Sequence, residues 1–494
     1  MRILLFLLVC FQVSKAADFE FTPNLQRGYA DILKLKVQGG RQAIAGDLAQ
    51  GNGVAVYVDD FADMVTLLVS DNPKLYGQWS DREDQRLDRL RDLDENSPWQ
   101  RFAQAEVRLH WAFVKLKFGK EVSACWDVIR AYKLLEENRK KFPGFLPTYK
   151  SLGLLHVMIG AVPDNYTWVT NLLGMRGNVK QGLQEIRTVA QKDAIFQTEA
   201  ELIDLLIRAY VLKFTAADFA NLKKMVQENR DNLLLHFFAT SVLMKDAQSE
   251  EAFGFLNNRP AGPDYLPFPI LEDLKADILL QKADYPQAAA VYRQFLTQYK
   301  GVNFLKDTYY KLFLCYWLAG EDAKAEPFLR QVSQVGAAVV ESDKVAQKFA
   351  DQYAKKGISL KVKILMKARL ATDGGFYETA LQTLRPYSEA SFSLLAEKAE
   401  FNYRKGRIAQ RQGDVDEALP YFERAIVLSE TDQLSFGATS ALQLGYIYQQ
   451  KRNPAKARQY FQKALSYKKH EYKNSIDNKA RAALNELSTN SSTP

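Results

Sequence analysis

Cysteine is nearly missing from this chain of 494 residues, which has three in all: Cys10, Cys125 and Cys315. That count excludes a small fold stapled by disulfides. Cys125 and Cys315 sit in apolar helical patterns, Ala124-Cys125-Trp126 and Leu314-Cys315-Tyr316. Both are expected as buried free thiols, since an unpaired Cys behaves as a small hydrophobe. Histidine is as sparse, with His110, His156, His236 and His470. None stands at metal-ligand spacing from another His, Cys or carboxylate, and a zinc site needs three or four converging ligands. No Gly-x-Ser-x-Gly elbow occurs, and no Cys has an adjacent His to activate it. The acidic pairs Glu136-Glu137 and Asp59-Asp60 fit exposed helix faces and turns. No enzyme, metal or cofactor is therefore predicted. Strand-like alternation is also missing, so nothing requires a sheet.

Long apolar runs are absent apart from Ile3 to Val13, which is too short for the ~20 residues that span a bilayer. With Arg2 before it and Ser14-Lys15-Ala16 after it, the run reads as a cleavable export signal over residues 1–16. Its rival is a lipoprotein signal acylated at Cys10, disfavoured because Val9 stands where a small residue is expected. Cleavage after Ala16 removes Arg2 and Lys15, taking the formal charge from +8 to +6. The expected location is the periplasm or outer-membrane region of a Gram-negative bacterium, or else secretion. Asn165-Tyr166-Thr167 and Asn490-Ser491-Ser492 match the glycosylation sequon, which matters only in a eukaryotic secretory pathway.

What is present is 47% hydrophobic and 25% charged residues, ordinary for a folded chain. Between Ala399 and Leu465 one helical hairpin is written twice. The first copy carries Gly406, Gly413, Ala418, Phe422 and Ala425, the second Gly445, Tyr448, Ala457, Phe461 and Ala464. Counted from Gly406 or Gly445, the Ala, Phe and Ala fall at +12, +16 and +19 in both copies. That is the spacing of the tetratricopeptide repeat, a helix-turn-helix unit of about 34 residues. A missing side chain at Gly406 or Gly445 lets the second helix approach closely at Ala418 or Ala457. Phe422 and Phe461 are expected to project into the gap between one pair and the next. The predicted fold is all-α, an α-solenoid of stacked antiparallel helix pairs forming a tetratricopeptide-like superhelix.

Taken in order, Leu25 to Val37 reads as a helix ended by Gly39-Gly40. Two more follow at Ala43 to Leu48 and Val54 to Val69, parted by a turn at Gly51-Asn52-Gly53. That turn lacks both the third Gly of a dinucleotide fingerprint and the Gly-Lys-Ser/Thr of a phosphate loop. Ser80 to Asn96, dense in Asp and Arg, reads as a solvated helix. Ser97-Pro98 supplies a cap and a first-turn proline for the helix through Leu116. Further helices are predicted from Ser123 onward, including Tyr166 to Leu173 and Val179 to Val189. Pro260, Pro263, Pro267 and Pro269 exclude a helix. They divide residues 17–256, an N-terminal helical half, from a repeat array over 271–487, with 257–270 as the connection and 488–494 as a tail. An extra helical segment interrupts the array around Val339 to Tyr353, and Lys468 to Leu487 closes it as a capping helix.

The run from Ala105 to about Ile186 has further identifying features. These are Ala105-Glu106-Val107-Arg108-Leu109, Gly153-Leu154-Leu155 with Pro163, and the glycine-punctuated segment Leu173 to Leu183, read Leu-Gly-Met-Arg-Gly-Asn-Val-Lys-Gln-Gly-Leu. Together they resemble the tetratricopeptide repeat domain 39 family, also called the inclusion-body-clearance family, and similar exported bacterial repeat proteins. The resemblance implies a non-enzymatic scaffold. It carries over no functional residue, and the export signal departs from the organelle-surface setting of the eukaryotic members.

In stacked hairpins the first helices line the concave side. Aligning on Phe313, Ala368, Gly406 and Gly445 puts Tyr310, Trp317, Arg369, Tyr403, Arg407, Gln410 and Tyr446 there. Aromatic and Arg side chains are the types enriched at binding hot spots, and Arg369 and Arg407 could grip a peptide carboxylate through paired hydrogen bonds. The expected partner is a protein or peptide. Lys451, Arg452, Lys456, Arg458, Lys463, Lys468, Lys469 and Lys473 crowd the C-terminal repeat, which would also suit an anionic membrane surface. An exported chain meets little nucleic acid, so none is expected. A glycan-binding role in nutrient uptake shares the helices and aromatics but lacks the lipoprotein signal.

Overall fold

A computed structural model describes residues 18–161, 174–212, 214–356, 360–470 and 472–489. Among these residues every regular element is helical, with no strand, which makes the fold the expected all-α helical-repeat solenoid. None of the described helices is long and apolar enough to cross a membrane. The leader at 1–16, the helix expected at 166–173 with the sequon at Asn165, and the last five residues lie outside the described set.

Contacts divide the chain into two units, residues 1–235 with 260–268, and residues 236–259 with 269–494. The prolines thus do not mark a single cut. Tyr265 donates its hydroxyl to Asp231 O, and Leu266 N–H donates to Leu35 O, so 260–268 packs on the first unit.

The first unit holds α1 (Pro23–Leu33), α2 (Val37–Ala49), α3 (Gly53–Ser70), α4 (Pro73–Trp79), α5 (Arg82–Arg91), α6 (Pro98–Lys117), α7 (Glu121–Lys141), α8 (Pro147–Gly160), α9 (Val179–Lys192), α10 (Gln197–Tyr210) and α11 (Ala216–Glu228). Ser97 Oγ accepts from Trp99 N–H to start α6, as its cap position predicted, and within the expected turn Asn52 Oδ1 accepts from Val54 N–H to start α3. Gly39-Gly40 does not end a helix. The break falls at Leu35 (φ +66°), and both glycines lie inside α2. A Cβ on Gly40 would stand 2.7 Å from Gly28 O, so the glycine serves a close crossing of α1 and α2.

Two more expectations are corrected in this unit. Asp59-Asp60 is not an exposed pair. Asp60 is buried and accepts from Arg86 Nη1 (2.8 Å) and Trp111 Nε1 (3.0 Å), with His110 Nδ1 2.8 Å away. α5 is not simply solvated either, because Glu83 and Arg86 turn inward to Lys115 and to Asp59, Asp60 and Asp63. Buried charges persist only when paired in this way. Cys125 differs too, being exposed while Cys315 is buried; both are free.

The second unit takes α12 (Leu233–Lys245) from His236 onward. It continues with α13 (Ser249–Asn257), α14 (Ile270–Gln281), α15 (Tyr285–Gln298), α16 (Leu305–Ala319), α17 (Asp322–Val332), α18 (Glu341–Lys356), α19 (Leu360–Gly374), α20 (Tyr377–Leu384), α21 (Leu395–Gln412), α22 (Val415–Ser429), α23 (Ser435–Gln450), α24 (Pro454–Ser466) and α25 (Lys473–Thr489). Hairpins pair α14 with α15, α16 with α17, α19 with α20, α21 with α22 and α23 with α24, and α25 closes the stack on α23 and α24. The inserted α18 lies on α16 and α17, and α19 packs back on α14 as well as on α21.

α14 and α16 bury a cluster of three carboxylates around one ammonium. Lys311 Nζ stands 2.7 Å from Asp277 Oδ1 and 2.6 Å from Asp307 Oδ2, but 3.9 Å from Asp273 Oδ2. Burial, reinforced by Asp277 and Asp307, pushes Asp273 up to about 8. A folded-state pKa above the unfolded value of about 4 gives stability that is full at low pH and is lost as pH rises from about 4 to 8. Asp273→Asn should therefore gain on the wild type by up to about 4 kcal/mol between pH 5 and pH 8.5. Urea unfolding at the two pH values measures this, and an equal difference at both would exclude it.

Candidate functional site

The concave candidates depend on how each hairpin closes. In the two regular copies the second-helix Phe sits on the first-helix Gly of its own hairpin and belongs to a core cluster shared with the helices that follow. A Cβ on Gly406 would meet the Phe422 ring at 2.9 Å, and one on Gly445 would meet the Phe461 ring at 2.4 Å. Both rings are fully buried. Gly413 (φ +92°) ends α21 in the left-handed conformation, and its N–H donates to Gln410 O.

The sequence-predicted residues fall into three groups. Tyr310 and Trp317 are core residues, 9% and 3% exposed. The inserted α18 covers them, with Phe349 4.6 Å from the Tyr310 ring and Tyr353 against Phe313. Lys363 of α19 lies over the Trp317 ring at 5.2 Å. The sequence predicts the interrupting segment around Val339 to Tyr353, but not that it packs on α16 and buries what regular stacking leaves open. Tyr403 and Tyr446 are half-buried against Phe422 and Phe461 and fill gaps inside the array. Arg369, Arg407 and Gln410 are half-buried.

Arg369 (side chain 41% exposed) has its Nε 3.6 Å from Asp373 Oδ2, and Asp373 Oδ1 stands 3.5 Å from Arg404 Nη1. Burial would lower the Arg369 pKa, but Asp373 and Glu400 outweigh it and the pKa is raised. Arg407 Nη1 donates to Gln410 Oε1 at 2.6 Å and to Gln443 Oε1 at 3.0 Å, both neutral acceptors. Arg411 reaches Asp246, beyond the end of α12, at 3.3 Å.

Sequence reasoning missed Lys479 of α25 and Lys245 of α12. Loss of hydration on this side lowers the Lys479 pKa and Arg407 lowers it further. The same loss lowers Lys245, with Lys479 adding to it. Among the described residues neither Arg407 nor Lys479 has a carboxylate partner. Extending the alignment one helix further, to Ala480, selects Asp477, Arg481 and Leu484 and still passes over Lys479. Nothing local in the sequence points to Lys245. The face as a whole offers charge-assisted donors to an anionic group, worth more than neutral ones at the same distance.

Elsewhere, His110 meets Asp60 and His156 meets Glu185 (2.6 Å). Among the described residues no three of His, Cys, Asp and Glu converge as a metal site would require. Of the basic C-terminal cluster, Lys451, Lys463 and Lys473 are paired with Asp416, Glu430 and Asp477.

Comparison with known proteins agrees with the repeat reading at one end of the chain. No curated protein sequence matches the chain significantly. Among solved structures it is similar to the crystal structure of the APC/C hetero-tetramer Cut9-Hcn1 (12% identity, 93% of this chain and 95% of that chain, TM-score 0.24). It is also similar to the crystal structure of yeast Tom70 (11% identity, 95% and 96%, TM-score 0.25). Scores so low do not bear on function. The family model described as "Tetratricopeptide repeat" matches residues 397–470, the stretch from α21 through α24 in which the glycine–phenylalanine hairpins lie. The chain is thus an all-α protein that carries tetratricopeptide repeats between residues 397 and 470.

Proposed function

We propose that this chain is an exported, non-catalytic scaffold that holds an acidic protein or peptide segment on the concave side of its second unit, in assembly or maintenance of the cell envelope. The observation that carries the reading is the uncompensated charge of Arg407 and Lys479. Arg407 bonds to neutral acceptors, Lys479 feels its repulsion, and an incoming carboxylate relieves both. Tetratricopeptide repeats supply the frame, and Arg369 and Arg411 are already engaged by Asp373 and Asp246. The leader-like sequence at Met1 to Ala16 supports export, and the periplasm or outer-membrane region of a Gram-negative bacterium is the compartment that suits it. The basic C-terminal end supports binding to an anionic membrane less well, since three of its lysines are each paired with a carboxylate.

Fluorescence anisotropy with an Asp/Glu-rich peptide tests the proposal. The wild type should bind it with a salt-sensitive affinity. Arg407→Ala with Lys479→Ala should weaken binding about tenfold or more, at unchanged melting temperature. Equal binding by the double variant would exclude the site. Binding to anionic vesicles but not to the peptide would favour the membrane instead.

A further inference from the structure

The most distinctive segment of the sequence, the glycine-punctuated run before α9, takes no part in the concave face. It forms one wall of a cavity of about 540 Å³ in the first unit, between α7, α8 and the start of α9. We propose that this cavity binds a small organic molecule with an anionic end, phosphate or carboxylate, and a hydrogen-bonding body.

The walls are set by direct backbone contact. A Cβ on Gly153 would stand 2.7 Å from Gly182 O, and one on Gly182 would stand 2.4 Å from Gly153 O, so α8 and α9 touch without side chains between them. A Cβ on Gly177 would stand 2.3 Å from Gly160 N, which seats the turn on the end of α8. Tyr132 of α7 latches the same turn from the other side. Its hydroxyl donates to Arg176 O at 3.2 Å and accepts from Arg176 N–H at 3.1 Å. A polar cavity held open between rigid elements needs no rearrangement to receive a ligand, and its volume lies in the range of small-molecule sites.

The charges divide between floor and rim. On the floor the lining acid Glu136 is already engaged, accepting from Arg139 at 2.8 Å, and the lining residues His156 and Gln181 are bonded to Glu185 at 2.6 Å and 2.9 Å. At the rim, Lys133, Lys140 and Arg176 line the cavity, and among the described residues no ion pair or hydrogen bond engages their side chains. Glu137 is the one lining acid left without such a partner among the described residues. Three cations against one carboxylate select an anionic end, while Gln181, His156 and Glu137 can meet hydroxyl groups on the body.

The probes are glucose 6-phosphate, glucuronate and glucose, titrated calorimetrically into the full chain. One or both anions should bind and glucose should not. Which anion binds distinguishes phosphate from carboxylate. Arg176→Gln and Lys140→Gln, both at exposed positions, should each weaken binding about tenfold. Lys344→Gln, in the second unit, should not change it. No binding of either anion at millimolar concentration, equal binding of glucose, or unchanged binding by both rim variants would overturn the proposal. Because the concave face shares none of these residues, the acidic-peptide measurement stands or falls separately.

Discussion

Lys150→Met should destabilise the first unit by about 3–5 kcal/mol, the cost of leaving buried carboxylates without their cation. Lys150 of α8 is 1% exposed. Its Nζ donates to Glu106 Oε2 of α6 at 2.7 Å and to both carboxylate oxygens of Glu199 of α10 at 2.9 Å. Tyr29 of α1 donates its hydroxyl to Glu199, so one charge ties four helices together. Around it stand Phe196 and Phe102, with the ammonium 5.2 Å and 5.9 Å from their ring centres. Burial alone would lower the Lys150 pKa, yet Glu106 and Glu199 outweigh it and hold the ammonium charged. Methionine keeps the length and fills the space but strands two acids in an aromatic core. Adding Glu106→Gln and Glu199→Gln should recover part of the loss, because a neutral cluster leaves no uncompensated charge. Urea unfolding followed by tryptophan fluorescence is informative here, since Trp99 packs on Phe102 and Phe196. A loss below about 1 kcal/mol for the single variant would show that water or rearrangement satisfies the acids.

The second large effect is expected at the other end of the chain. Phe461→Ala should cost the C-terminal hairpin about 3–5 kcal/mol, the range for removing a fully buried aromatic side chain. The ring lies against Gly445 and within 5.3 Å of the Tyr446 ring centre, and it belongs to the cluster that joins α21 through α25. A repeat contacts only its neighbours, so the loss should appear as early unfolding of the last hairpins and not as a uniform shift. Gly445→Ala in the wild type forces the ring to move and should destabilise. In the Phe461→Ala background the same methyl enters the vacated space, and its cost should shrink or change sign. A double-mutant cycle showing no coupling between the two positions would separate the ring from the glycine and undo this account of the repeat.

These two sites differ in how far the sequence reveals them. The Gly445–Phe461 contact is written as a spacing, because both partners lie in one hairpin and recur 39 residues earlier as Gly406 and Phe422. The Lys150 cluster leaves no such mark. Its members are separated by 44 and 49 residues along the chain, and each looks like a surface charge in its own helix. The same holds for Asp60, read as an exposed acid until α5 brings Arg86 to it. Tyr310 and Trp317 show the reverse error: the sequence alignment left them open, and α18, coming later in the chain, closes over them.

By itself the sequence determined most of the helices, the cap at Ser97 and the paired repeats, because each is written within one helix or one hairpin. Only the tertiary structure decided which charges are buried, which aromatics are covered, and that Lys479 and Lys245 stand with Arg407. Those outcomes depend on which helix lies opposite. That is a property of long-range packing, where the cost of desolvating a group is set by neighbours that the local pattern does not contain.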